Sequence, residues 1–176
     1  MAAAWSSVWP RRSCRIAGCR SKKNRGLLSK YGKPHGSLAE ELGGAASLKR
    51  ELGIARCGLA CCLCSENERC GGCLSDDCPD KEWCENRRCS LDKELPGCFA
   101  CTEECRRGML AKDKPYAFTL FVKRYGEPAL LDCLEQNEKI GVVYHRAGIC
   151  GDYDGFDDIE ELFAFLKTGR RRPSAQ

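Results

Sequence analysis

The sequence predicts a small, mainly α-helical protein whose cysteine-rich middle packs on a three-helix C-terminal part. Twelve of the 16 cysteines lie in the 49 residues from Cys57 to Cys105, and helix-type apolar periodicity is clearest after them. The cysteine-rich stretch has seven large apolar residues: Leu59, Leu63, Leu74, Trp83, Leu91, Leu95 and Phe99. Burying one contributes about 1.5–3 kcal/mol, whereas ordering each residue costs about 1.5 kcal/mol. This stretch therefore needs covalent cross-links or bound metal ions to stay folded, because its own core is too small.

Composition divides the chain into four segments. We predict a disordered basic extension at 1–47, a cysteine-rich module at 48–112, a helical part at 113–169 and a tail at 170–176. Residues 1–50 carry 11 Lys and Arg against 2 Asp and Glu, whereas residues 51–176 carry 18 against 23. Nucleic-acid binding is thus not expected of the folded part, which is slightly acidic. A second hypothesis is that residues 1–47 are not translated, because translation begins at Leu48 from a non-AUG start codon.

Two helices are predicted directly after the module. The aromatic-rich segment from Tyr116 to Tyr125 suits a buried helix that Gly126 would end. A second helix fits residues 128–140, because Pro128 is suited to a first turn and the apolar residues after it form a stripe. Gly141 would follow its last turn.

A short strand and a third helix complete the C-terminal part. Residues 142–144 are apolar and suit a strand. Asp157 and Glu160 form a D-x-x-E capping box before a helix that Gly169 would stop.

The cysteines favour a reducing compartment. The N-terminus has no basic segment followed by an apolar run, and no apolar stretch is long enough to span a membrane. We therefore predict a cytoplasmic protein without a membrane partner, and metal binding in place of a disulfide framework.

The spacing of the cysteines indicates the type of site. Three Cys-x2-Cys pairs begin at Cys61, Cys70 and Cys98, and this gap lets a tight turn direct two sulfurs at one ion about 2.3 Å away. The chain has only two histidines, both far from the pairs, so the predicted ligands are thiolates. The candidate metal ligands are Cys57, Cys61, Cys64, Cys70, Cys73, Cys84, Cys89, Cys98, Cys101 and Cys105.

Tetrahedral thiolate sites select zinc or iron–sulfur clusters. The preferred first zinc site is Cys61, Cys64, Cys70 and Cys73, and the preferred second is Cys84, Cys89, Cys98 and Cys101. Cys57 or Cys105 could replace a partner in either. Four thiolates close the coordination shell, which implies a structural ion worth about 10 kcal/mol or more of folding free energy. The alternative is an iron–sulfur cluster, because Cys57, Cys61 and Cys64 have the C-x3-C-x2-C spacing of four-iron sites.

Several other residues have non-functional interpretations. Cys62 and Cys78 fall outside the pairs and are read as buried or spare thiols, and Cys133 as a residue of a helix core. The acidic segment 152–158 fails the calcium-loop template and is read as a turn before a helix. His145 is not expected to be a ligand. No catalytic arrangement is found, so enzyme activity is not expected.

The cysteine order resembles a family. Cys57-Gly58-Leu59-Ala60-Cys61, Cys70-Gly71-Gly72-Cys73, Trp83-Cys84 and Cys98-x2-Cys101 are similar to a cysteine-rich prokaryotic family known only as a domain of unknown function. Phe121-x3-Tyr125-Gly126 and Gly151-Asp152-Tyr153-Asp154 extend the resemblance. It implies a small prokaryotic zinc-binding protein without a known activity.

Together these features favour a zinc-ribbon or knuckle-like module. We expect a non-catalytic interaction module with structural zinc and a protein partner that the sequence does not identify. The alternative is an iron–sulfur or thiol-based redox protein, or an enzyme accessory.

Overall fold

The computed structural model describes residues 48–64, 70–78, 81–146 and 149–171. The predicted extension at 1–47 and most of the predicted tail lie outside these residues. The described ranges contain four α-helices: α1 (Glu85–Asp92), α2 (Asp113–Tyr125), α3 (Glu127–Lys139) and α4 (Ile159–Thr168). Strands β1 (His145–Arg146) and β2 (Ile149–Cys150) pair antiparallel. Short 3-10 turns lie at Arg50–Leu52, Cys61–Leu63, Cys98–Ala100 and Gly108–Ala111.

Helices α2 and α3 follow the prediction closely. α2 begins at Asp113, three residues earlier than predicted from the aromatic residues, because Pro115 is compatible with a first turn. Gly126 ends α2 with a positive φ of 86°, and α3 begins at the next residue. Gly141 follows α3 with φ 87°, as predicted.

Helix α4 is present, but its cap lies one residue later than predicted. The carboxylate of Asp158, which has extended backbone, accepts a hydrogen bond from the Glu160 N–H at 3.0 Å. Asp157 therefore lies before the cap. Gly169 ends the helix in the left-handed conformation, with its N–H donating to the Phe165 carbonyl at 2.7 Å.

The strand predicted at residues 142–144 is wrong. Asp152 occupies both backbone groups of Val143: its carboxylate accepts the Val143 N–H at 2.7 Å, and its N–H donates to the Val143 carbonyl at 2.8 Å. These two hydrogen bonds, one to the Asp152 side chain and one from its backbone, replace the strand pairing that was expected at Val143. The short pair of β1 and β2 follows it.

Helices α2, α3 and α4 surround one apolar core. Phe118 packs edge-on against Tyr153, and Phe121 against Phe163, with ring centroids 5.6 and 5.3 Å apart. Residues 48–64 contribute to the same core, where Cys62 is 0% exposed, which confirms it as a buried thiol. Cys133 of α3 packs partly buried against this core, as predicted.

The cysteine-rich region has no comparable core of its own. Among the described residues of 70–78 and 81–109, no large apolar side chain is buried, and Leu74, Trp83 and Leu91 are 61%, 55% and 42% exposed. The predicted shortage of apolar burial therefore holds for the described residues of 70–109, whereas Ile54, Leu63 and Leu110 of the predicted module are buried. The fold is mainly helical and cysteine-rich. No helix among the described residues combines the length and apolar character that crossing a bilayer requires.

Candidate metal-binding cysteine groups

Three cysteines pack together, and one of them, Cys61, begins the first Cys-x2-Cys pair. Cys57 and Cys73 are buried in one small cluster, and Cys61 packs against it. Gly72 lies directly against Cys61, since a Cβ atom added at Gly72 would lie 3.8 Å from the Cys61 sulfur. The positive φ of Gly72, 81°, lets the turn between Cys70 and Cys73 approach this closely.

Three further thiols lie within electrostatic range of this cluster. Cys84 acts on Cys57 and Cys73, and Cys64 and Cys70 act on Cys61, in each case raising the pKa. We call these six the first thiol group: Cys57, Cys61, Cys64, Cys70, Cys73 and Cys84.

Two Cys-x2-Cys pairs share one backbone geometry. Cys61–Leu63 and Cys98–Ala100 are both 3-10 turns, closed by N–H···O bonds from Cys64 to Cys61 at 3.2 Å and from Cys101 to Cys98 at 3.1 Å. The closing cysteines have nearly equal backbone angles, with φ −68° and ψ 137° for Cys64 and φ −74° and ψ 137° for Cys101. The same local conformation thus presents a pair of thiols twice in the chain.

Burial and hydrogen bonds act in opposite directions on the first group. Burial raises the pKa of Cys57 well above its ordinary value and that of Cys61 to about 12. Backbone N–H groups oppose this shift and favour the thiolates: Leu59 donates to Cys57, and Cys73 to Cys61. In neutral solution these thiols stay protonated unless a cation compensates for the buried charge.

Four other cysteines line a single cavity. This cavity of about 570 Å³ lies between α1 and α2 and is also bordered by Leu110, Tyr116 and Leu120. All four thiols are half-buried. They form the second thiol group: Cys89, Cys98, Cys101 and Cys105.

Asn86 is a buried residue that hydrogen-bonds the second group. It is 4% exposed, and its Nδ2 donates to the Cys98 sulfur at 3.9 Å and to the Arg107 carbonyl at 3.2 Å. Its Oδ1 accepts the Met109 N–H at 2.7 Å, so the amide is fixed in orientation. Burial raises the pKa of Cys98 to about 11, and the Asn86 hydrogen bond opposes this shift.

Cationic side chains surround the same thiols. The guanidinium of Arg107 bonds the Cys105 sulfur, which raises the arginine pKa. Lys93 lies within range of Cys101 and Cys89 and donates to Glu103 at 2.6 Å. A divalent ion on four thiolates carries a net charge of about −2, which such cations partly offset.

Arg56 joins the two groups through its backbone. Its N–H donates to the Cys73 sulfur, and its carbonyl accepts the Cys98 N–H at 2.7 Å. Its guanidinium donates to the Leu95 carbonyl at 2.6 Å, which fixes the segment before the second Cys-x2-Cys turn.

The electrostatic neighbours of the thiols differ in one respect from the preferred pairing, which stays a prediction. Cys84 acts on Cys57 and Cys73, and Cys105 acts on Cys98 together with Cys89 and Cys101. Cys84 lies at the N-cap of α1 with extended backbone, whereas Cys89 lies five residues later within the helix.

The geometry sets limits on the site. Within the part of the chain that the structure describes, no three His, Cys, Asp or Glu side chains form a ready-made ion-binding group. The fit to a metal therefore rests on donor type, on number and on which thiols lie together. Thirteen described cysteines, including all ten candidates, form no disulfide. His145 lies in β1 and pairs with Cys150 of β2.

Sequence reasoning missed Asn86, Arg56 and Tyr144. The Tyr144 hydroxyl accepts the Ala60 N–H at 3.1 Å and so links the residue before Cys61 to the helical part. Their only sequence signal is position, since Arg56 and Ala60 adjoin cysteines and Asn86 lies between two of them.

Comparison with known proteins gives no relative for this arrangement. The chain matches no protein-family model, no curated protein and no solved structure.

Proposed function

We propose that this chain is a non-catalytic zinc-binding protein in which thiolate-bound ions hold the cysteine-rich module in shape. One observation supports this above the others: seven of the ten thiols lie between residues 70 and 109, where no described large apolar side chain is buried. Bound zinc contributes about 10 kcal/mol or more per structural site, which offsets that shortage.

The donors favour zinc. Soft thiolates and the absence of histidine from both groups match four-cysteine zinc sites of the ribbon or knuckle type. Four thiolates leave no open coordination position, which favours a structural role over catalysis. The thirteen described cysteines that form no disulfide also favour a cytoplasmic location.

A protein partner completes the proposal. Leu74, Trp83 and Leu91 expose apolar surface on the module, and exposed apolar side chains are common in contacts between proteins. The acidic balance of residues 51–176 argues against nucleic acid as that partner.

Elemental analysis of the purified full chain tests the proposal. We expect about two zinc ions per chain, and loss of module structure when a chelator removes them under reducing conditions. Cys61→Ser and Cys101→Ser should each lower the zinc content. Cys133→Ser is the matched control, because Cys133 lies on α3 outside both groups. Unchanged far-UV circular dichroism and melting temperature after complete ion removal would contradict the proposal.

The second candidate is an iron–sulfur protein. The specific observation in its favour is the cavity of about 570 Å³ at the second group, which leaves more space beside four thiols than one ion needs. Anaerobic purification distinguishes the two. A brown protein that has a broad visible absorption band and contains iron and acid-labile sulfide would show that the thiols bind an iron–sulfur cluster and not zinc.

A further inference from the structure

The segment 151–156, which lies between β2 and α4, is held from the inside by a buried ion pair. Lys114 of α2 and Asp154 pair at 2.9 Å, and only 4% and 15% of their side chains are exposed. The same Asp154 oxygen accepts the Gly151 N–H at 2.9 Å. A buried lysine without its partner is costly, so residues 151–154 separate from α2 as one unit and not bond by bond.

Arg171, the third residue after α4, holds the same segment from the outside. Its guanidinium donates to the Asp152 carbonyl at 3.2 Å and to the Asp154 carbonyl at 2.8 Å. It also lies 4.1 Å from the centroid of the Phe156 ring, which is buried beneath it. Arg171 itself is exposed, so water competes for its bonds and their release costs little.

Tyr144 connects the segment 151–156 to the cysteine-rich module. A Cβ added at Gly151 would clash with the Tyr144 carbonyl, so the two backbones lie in direct contact. The Lys114 amine donates to the same carbonyl at 3.5 Å and lies 4.5 Å from the centroid of the Tyr144 ring. At the other end of this side chain, the hydroxyl accepts the Ala60 N–H at 3.1 Å. A displacement of the segment therefore displaces the acceptor of the Ala60 N–H.

We propose that Arg171 is a strap across the segment 151–156, and that its release loosens the backbone at Ala60, next to Cys61. In the closed state the guanidinium holds the two carbonyls. In the open state water replaces it, and residues 151–154 leave α2 more often. Tyr144 transmits this motion to the module. The coupling requires no bound metal ion, so it goes beyond the proposed zinc binding and stands or fails separately from it.

Amide hydrogen exchange of the full chain under reducing conditions tests the strap, with a readout that resolves single amides. Arg171→Ala should speed the exchange of Gly151, Asp152 and Ala60 about tenfold, because two hydrogen bonds from an exposed charged group are lost. Arg170→Ala is the matched control: it removes the neighbouring exposed arginine, whose backbone bonds Thr168 Oγ1, and should leave the three rates unchanged.

A second pair of variants tests the path. Tyr144→Phe should speed the exchange of Ala60 and not that of Asp152, and Arg171→Ala added to it should not speed Ala60 further. The amide of Leu134 in α3 should exchange at one rate in all variants, which distinguishes local opening from a loss of global stability. An unchanged Ala60 rate in Arg171→Ala would overturn the inference. So would equal effects of Arg170→Ala and Arg171→Ala, or an Ala60 amide that already exchanges at its unfolded rate in the unaltered protein.

Discussion

Gly58 is the residue whose substitution most directly tests how the module is seated on the helices. It has φ 85°, and a Cβ there would lie 2.2 Å from the Pro115 carbonyl oxygen and 2.3 Å from Thr119 Oγ1. The Pro115 oxygen belongs to the backbone of α2 and cannot rotate away. Gly58→Ala must therefore push Cys57 and its neighbours off the helix.

The loss of unfolding free energy in Gly58→Ala has two parts, and the same substitution at a second glycine, Gly141, separates them. A left-handed alanine costs about 1–2 kcal/mol, and overpacking against a helix adds about 1–3 kcal/mol. Gly141 has nearly the same φ, 87°, but nothing lies within 4 Å of its added Cβ. Gly141→Ala should therefore show the first cost alone, and Gly58→Ala about 2–5 kcal/mol in all.

Urea denaturation of the zinc-loaded variants, followed by circular dichroism, measures both free energies of unfolding. Zinc content measured in parallel should fall for Gly58→Ala and not for Gly141→Ala, because only the former displaces Cys57. Equal destabilisation of the two variants would show that the segment after Cys57 does not lie against α2 in solution.

Three further predictions concern buried polar groups and one thiol. Asn86→Ala should weaken zinc binding at the second thiol group about 10–100-fold, whereas Asn137→Ala, an equally buried amide in the helical core, should lower only the unfolding free energy; zinc competition titrations check both. Asp154→Asn should cost about 3–5 kcal/mol in urea denaturation, because it leaves Lys114 buried without its 2.9 Å ion pair, and Lys114→Met in the same chain should restore part of that loss. Burial raises the pKa of Cys62 from 9.0 to about 12, so near pH 8 its alkylation in the folded protein should be about 1,000-fold slower than in the unfolded chain, a protection that is lost as the pH approaches about 12; equal rates at pH 8 would contradict its burial.

Local signals in the sequence predicted most of the helical part. Gly126, Gly141 and Gly169 all mark helix ends in the structure with positive φ, because each stop requires a conformation that other residues rarely adopt. The apolar stripe of α3 predicted the buried Leu130, Leu131 and Leu134, because apolar residues three and four positions apart share one face of a helix, but Ile140 of the same stripe lies after the helix and is 56% exposed. The strand at 142–144 failed because one distant side chain, that of Asp152, captured the backbone of Val143.

The grouping of the cysteines was less accessible from sequence. Spacing identified the Cys-x2-Cys pairs, but the partner of each pair depends on helix α1, whose sequence Glu85–Asp92 has a single apolar residue, Leu91, besides Cys89. No periodicity marks such a helix. Cys84 lies before the first residue of this helix and Cys89 within it, and the Arg87 Nε donates to the Cys73 carbonyl at 3.4 Å, which joins the helix to the first group. Tertiary contacts of this kind have no local sequence signal.

The backbone of Arg56 couples the two groups. Its N–H donates to the Cys73 sulfur, and its carbonyl accepts the N–H of Cys98, the first residue of the turn Cys98–Ala100, at 2.7 Å. A shift of residue 56 therefore moves a thiol of the first group and the turn of the second group together. Because both contacts involve the backbone, no substitution of the Arg56 side chain removes them, and the coupling has no signal in the residue types of the sequence.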